Sequence, residues 1–436
     1  MIDQETQEPI PYATIETGLH QGMVSNEEGE FTFLLENVKP TPDSIYISYM
    51  GYETKGIVFK ENEAITIPLV PKLYELKEVF LTTEVLTIKE IIKKAKDNLD
   101  KNYASNLTKK KIFFRQSDIG IMKKMELEFK KSTIKELNKK LLDSIRKILP
   151  KKSSYYKEVV ADLYGDYNNY KLNINKAAEL YDKNNDISAE GIEKKLEGIF
   201  NENIKKDSYL KIKSGIFSTK KQVDSIIQEN EEAKAALEKK KKEGTLEFQE
   251  QISNQIANLY EQLFFQEDSK IDVLDKSSRY NFTLDNYTVI NGMAVYILQF
   301  TPKGGKDFKG TMYVNTQDFA IVRLDFENVK PLSSFALLGI TYRNNIYKGK
   351  MLFDKDENGS YSPRFLELLD GSYMGFDRPV KVIEKNKNVR GKRKQNELSL
   401  KLNIQGNQLQ KQELVVFESE NITQSSFDLI EEKQII

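Results

Sequence analysis

Cysteine and tryptophan are absent from this sequence of 436 residues, and histidine occurs once. Without cysteine the chain can form no disulfide, no thiolate nucleophile and no cysteine-ligated metal site. A zinc peptidase would need at least two imidazoles on its metal, so one histidine excludes that chemistry as well. The single His20 lies between Gly18 and Gly22, where an exposed loop residue is the favoured interpretation and a pH-sensitive contact the alternative.

An excess of charge of one sign is also missing, because Lys+Arg and Asp+Glu both number 66. A nucleic-acid-binding protein normally carries a clear basic excess or stripe, so we predict no nucleic-acid partner. Two local basic runs, Lys239 to Lys242 and Arg390 to Lys394, are typical of solvated helix ends or turns. An anion-binding or membrane-surface patch is the alternative for each.

No apolar run reaches the roughly 18 to 20 residues of a membrane-spanning helix, so no transmembrane helix is predicted. No signal peptide is visible at Met1 either. Met1, Ile2 and Asp3 resemble the end of a first strand, and we therefore expect the chain to begin inside a domain, with its targeting segment missing. Apolar residues at 39% and charged residues at 30% are typical of a folded chain, and the length suggests about two or three domains.

Residues 1–72 show short alternating runs separated by turn residues, which predicts an antiparallel β-sandwich of the immunoglobulin or transthyretin type. The runs are Tyr12 to Ile15, Glu30 to Leu34, Ser44 to Tyr49 and Ala64 to Leu69. Three stretches in particular, Asp3 to Thr14, Gly22 to Phe31 and Ile45 to Tyr52, together with the closing Leu76 to Val79, resemble the carboxypeptidase-regulatory-like family. The resemblance implies a transthyretin-like sandwich at the start of a Gram-negative envelope protein, and it implies no activity.

The rest of the chain is predicted to be of the α+β class, with a large curved antiparallel sheet packed on helices. We predict a linker strand at 73–86, a mostly helical insertion with a few strands at 87–268, and an antiparallel β-meander at 269–436. The strands at 111–130 and 208–218 are expected to share the sheet of that meander. Within them we predict a pair at 111–115 and 125–129 and one strand from Tyr209 to Phe217, and the meander itself should include separate strands at 361–369 and 373–384. Predicted helices begin at Thr87, at Ser132 or Thr133, and cover Tyr155 to Leu163, Ser188 to Ile204 and Gln222 to Phe265.

The meander is predicted from many strands with short links, including the hairpin signal Asn291-Gly292. Ala294 to Phe300, Gly310 to Asn315 and Phe319 to Asp325 resemble, in pattern, the half-barrel of lipoprotein-carrier-type envelope proteins. That resemblance implies a curved sheet that closes over helices around an apolar cavity for acyl chains.

Candidate sites for chemistry are few. Asp354, Asp356 and Asn358 match the early positions of a calcium loop, but Phe365 stands where the bidentate Glu would be. Because strands flank the segment, we predict a polar hairpin turn and no metal. Gly304 to Lys306 lacks the upstream Gly and the helix of a phosphate loop. The tyrosines at 155, 156, 164, 167 and 170 favour core packing or helix-to-sheet contact over a glycan-stacking platform.

These observations predict a non-catalytic binding or assembly protein in the periplasm or associated with the outer membrane. It would hold an apolar or lipid-like ligand between a curved sheet and helices, with no cofactor, no catalytic residue and no ligand-binding residue identifiable beforehand. Lipid, glycan or an envelope protein are the candidate partners. Two alternatives stay open, namely a carboxylate-based glycan hydrolase and a purely structural docking module of an envelope complex.

Overall fold

The structure is a computed structural model, and it describes most of the chain. The described residues are 1–4, 6–10, 13–18, 21–25, 29–31, 44–49, 52–58, 65–71, 86–181, 183–229, 232, 244–290, 293–304, 308–356, 358–391 and 393–432. His20, the basic run Lys239 to Lys242, the Asn291-Gly292 pair and nearly all of the predicted linker strand lie outside these residues.

The chain divides into two compact units. The first comprises Met1–Asn98, Phe282–Gln299 and Met312–Ile321, and the second comprises Leu99–Asn281, Phe300–Thr311 and Val322–Ile436. Each unit is described by itself below.

The first unit begins with short strands around a small apolar core. The strands are β1 (Ile2–Asp3), β2 (Thr14–Gly18), β3 (Gln21–Val24), β4 (Ile45–Ser48), β5 (Lys55–Ile57) and β6 (Pro68–Leu69). Four of them form an antiparallel sheet in the order β3-β2-β4-β5, while β1 pairs with β6 in parallel. The buried core consists of Met1, Ile10, Ala13, Ile15, Ile45, Ile47, Ile67 and Leu69. Alternate residues of β2 and β4 supply this core, as the period of two requires.

Helix α1 (Ile88–Asp97) follows in the same unit. It begins where the sequence predicts, because Thr87 and Glu90 form a reciprocal capping box. Ile91, Ile92 and Ala95 are its buried residues.

A large sheet dominates the chain. Its thirteen described strands are β7 (Thr108–Ser132), β8 (Lys152–Gly165), β9 (Tyr170–Tyr181), β10 (Tyr209–Ser214), β11 (Phe217–Gln222), β12 (Tyr280–Ile290), β13 (Met293–Pro302), β14 (Phe308–Asn315), β15 (Ile321–Asn328), β16 (Ser334–Leu337), β17 (Ile340–Lys355), β18 (Tyr361–Lys385) and β19 (Lys394–Asn421). The hydrogen-bonded order is β12-β13-β14-β15-β17-β18-β19-β7-β8-β9. In addition β10 pairs with β18 and β11, and β16 pairs with β17. Strands β7 and β10 therefore lie in the same sheet as the C-terminal strands.

Helices of the second unit are α2 (Leu99–Asn102), α3 (Lys139–Ile148), α4 (Lys183–Asn203), α5 (Gly244–Glu261) and α6 (Gln424–Asp428), and residues 223–229 are also helical. Helix α5 lies against β8 and β9. The Tyr170 hydroxyl donates to the Ser253 carbonyl at 2.7 Å, and the Gln249 amide donates to the Leu172 carbonyl at 2.7 Å. Ile252 and Ile256 of α5 are completely buried. The described chain is therefore mostly β, with a large antiparallel sheet of many strands and several helices.

In the described part of the chain, none of the helices combines the length and the apolar content needed to cross a lipid bilayer.

The structure corrects several predicted elements. The expected helix over Tyr155 to Leu163 is wrong, because β8 runs from Lys152 to Gly165 and buries alternate residues, Val159, Ala161 and Leu163. The apolar residues there fit a period of two once β7 and β9 flank the strand.

Two predicted breaks within strands are also wrong. The strands expected at 111–115 and 125–129 are one strand of 25 residues, and those expected on either side of Gly371 are likewise one strand of 25 residues. Glycine and polar residues in mid-strand predict turns when the segment is considered alone. The neighbouring strands nevertheless supply hydrogen bonds along both strands.

A third group of errors concerns element ends. The expected strand from Tyr209 to Phe217 is a hairpin that turns at Gly215, which has φ +60°. Helix α3 is capped by Asn138 rather than by Ser132 or Thr133, because β7 continues through Ser132. Residues 87–268 hold five strands beside their helices.

A substitution at Gly349 tests how closely the strands of this sheet pack. An added Cβ would lie 2.1 Å from the Glu367 carbonyl oxygen and 2.9 Å from the Phe326 ring. We expect Gly349→Ala to lower the free energy of unfolding by about 1–3 kcal/mol, as overpacking does. Gly191→Ala is the control, because nothing lies within 4 Å of its added Cβ. In a helix that change should stabilise by up to about 1 kcal/mol. Urea denaturation checks both, and equal midpoints for the two variants would contradict the packing.

Candidate functional site

An apolar cleft lies in the second unit between the segment that precedes α3, helix α4 and the strands β10, β18 and β19. It encloses about 240 Å³. Its lining residues are Ile134, Leu137, Leu196, Ile199, Phe200, Ile204, Leu210, Val382, Glu384, Asn396, Glu397 and Leu398. Nine of the twelve are apolar, so the cleft is suited to an apolar ligand.

The helix side of the cleft is built around one small apolar cluster. Asn138 caps α3 by accepting a hydrogen bond from the Leu141 amide at 3.1 Å. Leu141 is buried with Ile134 and Ile199, which ties the start of α3 to α4. Leu196, one turn earlier on α4, lines the cleft and is still 37% exposed. The cleft is therefore open to solvent beside Leu196.

A carboxylate with hydrogen bonds to both of its oxygens lies at the polar end of the cleft. Glu384 is buried, and its Oε1 accepts hydrogen bonds from the Lys205 amide at 3.0 Å and the Ser208 hydroxyl at 2.7 Å. Its Oε2 accepts from the Asn396 side chain at 2.8 Å. These donors come from the end of α4 and from β19, so the carboxylate fixes the helix against the sheet.

A second buried carboxylate, Glu397, also borders the cleft. It pairs with two lysines, Lys381 at 2.7 Å and Lys394. Its backbone amide donates a hydrogen bond to the Thr133 hydroxyl oxygen at 2.8 Å. The register places Glu397 opposite Ile383, so it follows the strand face that alternates with the face of Val382.

Beyond the cleft the same sheet face continues along β18, β19 and β7, and helix α3 contacts β7. We call it the open apolar face, and it consists of Met125, Leu127, Phe129, Met374, Phe376, Leu400, Leu402 and Ile404. The register pairs Leu400 with Phe129, Leu402 with Leu127 and Ile404 with Met125. It also pairs Phe376 with Ile404. These side chains therefore stand side by side on one face.

The open apolar face is not fully covered by the described residues. None of its eight members is buried, and Met374 is 58% exposed. Along the same strands Phe114 and Leu414 are completely buried. Leu398 pairs with Val382 and both line the cleft, and Leu400 of the open apolar face follows Leu398 two residues later on the same face of β19. Cleft and open apolar face thus form one continuous apolar surface.

The calcium-loop segment forms the turn between β17 and β18. Asp356 Oδ1 accepts hydrogen bonds from the amides of Asn358 at 3.0 Å and Ser360 at 2.8 Å. Gly359 has φ +85°. The Oδ2 atom of Asp354 lies 3.7 Å from the Nε atom of Arg364. The carboxylate of Asp356 therefore caps the backbone of this turn.

The tyrosine group has two environments. Tyr167 and Tyr170 pack against Tyr260 of α5, with ring centroids 5.3 Å and 6.0 Å away. These two side chains make a helix-to-sheet contact. Tyr155 instead lies beside Tyr181 and donates to Glu179 at 2.6 Å on an exposed part of the sheet.

A buried lysine belongs to the same aromatic region. Lys110 is 4% exposed, donates to the Thr108 hydroxyl and lies 5.9 Å from the centre of the Tyr167 ring. Burial lowers the pKa of Lys110 to about 8, although Asp166 and Asp356 favour its charged form. Burial likewise raises the pKa of Tyr167.

Comparison with known proteins identifies the first part of the chain only. Residues 1–81 match the family model of the CarboxypepD_reg-like domain, which confirms that resemblance for 81 of the 436 residues. No curated protein matches the sequence. Among solved structures, a chain of the Pseudomonas aeruginosa MucA/MucB complex is similar at 8% identity, with a TM-score of 0.17, over 76% of this chain and 99% of that chain. A likeness that weak carries no argument.

The residues that line the cleft were not predicted from the sequence. Ile192, Leu196, Ile199 and Phe200 gave the helical period of α4, which indicates a packed face but not an incompletely filled one. The alternation of apolar and polar residues over 398–405 was the available signal for a half-covered sheet.

Lys110 provides a pH-dependence that can be measured. Its folded-state pKa is about 8 and its ordinary value is 10.5, so between these values the unfolded chain binds more protons. The free energy of unfolding should therefore rise with pH, by about 1–2 kcal/mol between about pH 8 and pH 9.5. Lys110→Met should abolish this rise, and Lys111→Met, at an exposed site, should keep it. Urea denaturation across the pH series checks this, and parallel curves for wild type and Lys110→Met would contradict it.

Glu384 provides a test of the polar end. Glu384→Ala leaves three donors, the buried Ser208 hydroxyl and two partly buried N–H groups, without this acceptor, and we expect a loss of about 3 kcal/mol in the free energy of unfolding. The exposed Glu418→Ala should change it by less than about 0.5 kcal/mol. Chemical denaturation compares the two, and a similar small loss for both would show that the Glu384 network contributes little.

Proposed function

We propose that this chain is a non-catalytic binding protein of the cell envelope that holds an acyl chain in the cleft and along the open apolar face. The observation that carries the proposal is the continuity of these two surfaces through Val382 and Leu398. A linear apolar ligand could follow the same row of side chains from the enclosed part to the open part.

The dimensions support a slender ligand. Pockets for drug-sized molecules usually measure roughly 300–1,000 Å³, and this cleft encloses about 240 Å³. Each methylene moved from water into such a site contributes about 0.8 kcal/mol. An acyl chain gains this free energy for each methylene along its length, and its hydrocarbon requires no hydrogen-bond partner.

The polar groups at the cleft support recognition by apolar contact. Glu384 already accepts from three protein donors, and Glu397 is paired with two lysines. A ligand polar group would have to displace these partners. The ligand part inside the cleft is therefore proposed to be hydrocarbon, with any head group outside.

Location in the periplasm or at the outer membrane belongs to the same proposal. It is supported by the CarboxypepD_reg-like domain at residues 1–81, since domains of that family occur as accessory modules of envelope proteins. The curvature of the sheet and its half-barrel character remain predictions.

A glycan hydrolase is the second candidate, because two buried carboxylates, Glu384 and Glu397, border one cleft. Such an enzyme needs one protonated carboxyl group and one carboxylate facing the substrate. Here one side chain is held by neutral donors and the other by lysines of the alternate strand face. That arrangement supports the binding function better than hydrolysis.

The proposal is tested with a dansyl-labelled fatty acid added to the delipidated full chain. We expect saturable fluorescence enhancement in wild type. Leu196→Trp should fill the open side of the cleft and weaken binding by about tenfold or more. Leu180→Trp is the matched control, since Leu180 is 52% exposed on β9 and outside the cleft.

Equal affinity in wild type and Leu196→Trp would contradict the cleft as the binding site. Native mass spectrometry of the protein from its own membrane fraction gives an independent check, with an acyl-chain adduct as the expected result. Release of a reducing sugar from a glycan substrate, lost in Glu384→Gln, would favour the hydrolase instead.

A further inference from the structure

Two hairpin turns meet at one side of strand β18. The register pairs Ile340 of β17 with Phe376, and Lys213 of β10 with Lys381. Strands β17 and β10 thus pair with consecutive parts of β18, and the gap between them spans only residues 377–380. The turn of the β16–β17 hairpin, at Leu338 and Gly339, therefore lies next to the turn of the β10–β11 hairpin, at Gly215 and Ile216.

Arg378 fixes both turns from within this gap. It is 4% exposed, and its Nε donates to the Ser214 hydroxyl at 2.7 Å while its Nη1 donates to the Leu338 carbonyl at 2.6 Å. Its Nη2 donates to the Ser214 carbonyl, and its guanidinium lies 5.0 Å from the centre of the Phe217 ring. A buried guanidinium with three protein acceptors holds a defined geometry.

The backbone of these turns is equally constrained. Leu338 has φ +48°, an unfavourable region for a bulky residue, and Gly339 has φ +79°. A Cβ at Gly339 would lie 2.2 Å from the Asp377 carbonyl oxygen, so the turn fits closely against β18.

These fixed turns carry large apolar side chains into solvent. Ile216 is 82% exposed, Leu337 53%, Leu338 50% and Phe217 49%. We call these four residues the apolar tips. Exposure of these apolar side chains to water is unfavourable unless another molecule or a membrane covers them.

A cluster of four lysines lies beside the tips on the β10–β11 hairpin and the end of β18. Lys211 is directly opposite Lys220, and Lys213 is directly opposite Lys381 in the next strand. Lys213, Lys220 and Lys385 together lower the pKa of Lys211 by charge repulsion. Within the described residues, Lys211, Lys213, Lys220 and Lys385 have no carboxylate at ion-pair distance, whereas Lys381 pairs with Glu397. Like charges opposite one another destabilise a sheet.

We propose that the apolar tips and the four lysines form a docking surface for a lipid bilayer that contains anionic lipids. Charge complementarity selects this partner, because anionic head groups relieve the repulsion among the lysines while the tips enter the apolar region below. None of these residues lines the cleft, so this proposal does not rest on the ligand proposed there.

The test is co-sedimentation of the full chain with vesicles of two compositions, phosphatidylcholine alone and equal parts of phosphatidylcholine and phosphatidylglycerol. We expect binding to the mixed vesicles, weakened by added salt. The triple variant Lys211→Gln, Lys213→Gln, Lys220→Gln should bind far more weakly, by roughly fivefold for each lysine. Its control, Lys89→Gln, Lys93→Gln, Lys101→Gln, removes the same charge from exposed positions elsewhere.

The tips are tested in the same assay. Ile216→Ser with Leu338→Asn should reduce binding by about tenfold or more. Val58→Asn with Leu429→Ser is the control, because these side chains are 80% and 82% exposed at other sites. Thermal melting of every variant, expected at or above the wild-type temperature because the changes relieve charge repulsion and an unfavourable φ, separates lost docking from lost folding.

Three outcomes would overturn the proposal. They are absence of binding to the mixed vesicles, equal binding to both vesicle compositions, and equal binding by the test variants and their controls. Absence of vesicle binding combined with lysine-dependent retention on immobilised polyglutamate would instead assign the surface to an acidic protein partner.

Discussion

The register between β7, β19 and β18 is the constraint on which the second unit depends. These strands contain 25, 28 and 25 residues and remain paired over most of their length. Because successive side chains point to opposite faces, one register decides which face is apolar at every position. A slip of one residue between β7 and β19 would bring Glu126 and Glu128 into the row that now holds Leu400 and Leu402.

This long register is covered unevenly. Near Phe114 and Leu414 the sheet side chains are completely buried, and α5 packs on the neighbouring strands β8 and β9. At the other end α4 and the segment before α3 pack near the row of Val382 and Leu398 and leave a cleft, and α3 contacts β7. Between these helices and the ends of the strands, the open apolar face continues with the same alternation. Burial of that surface would be favourable by about 25 cal/mol for each Å² removed from water. The strands therefore preserve a site where an apolar ligand gains free energy that the protein itself has not used.

Sequence patterns predicted elements whose signals are local. The start of α1 follows from Thr87 and Glu90, and the helical period of α4 follows from Leu196 and Ile199. Long-range pairing was harder to predict. The polar and glycine residues near Gly120 and Gly371 resemble turns in isolation, yet both lie inside continuous strands because partners on both sides supply hydrogen bonds. In the same way, Val159 and Leu163 fit a helical spacing until β7 and β9 impose a period of two.

The cleft was less predictable still, since an unfilled volume has no sequence signature of its own. Its helices and strands come from separate parts of the chain, and the buried contact between Glu384 and Ser208 joins residues 176 positions apart. Apolar periodicity shows that a face is covered but not how completely. A polar residue such as Glu384 within an apolar strand was the one local hint, and it marks the point where α4 meets the sheet.

Strand β10 joins the two surfaces through the same alternation. Leu210 lines the cleft on one face, while Lys211 and Lys213 belong to the lysine cluster on the other. The lysines of the docking surface therefore lie on the opposite face of this strand from the cleft, whereas Phe217 and Leu337 of the apolar tips lie on the same sheet face as the cleft and the open apolar face. Arg378 links them mechanically, because it anchors the hairpin turn of β10 to the part of β18 that continues to Val382.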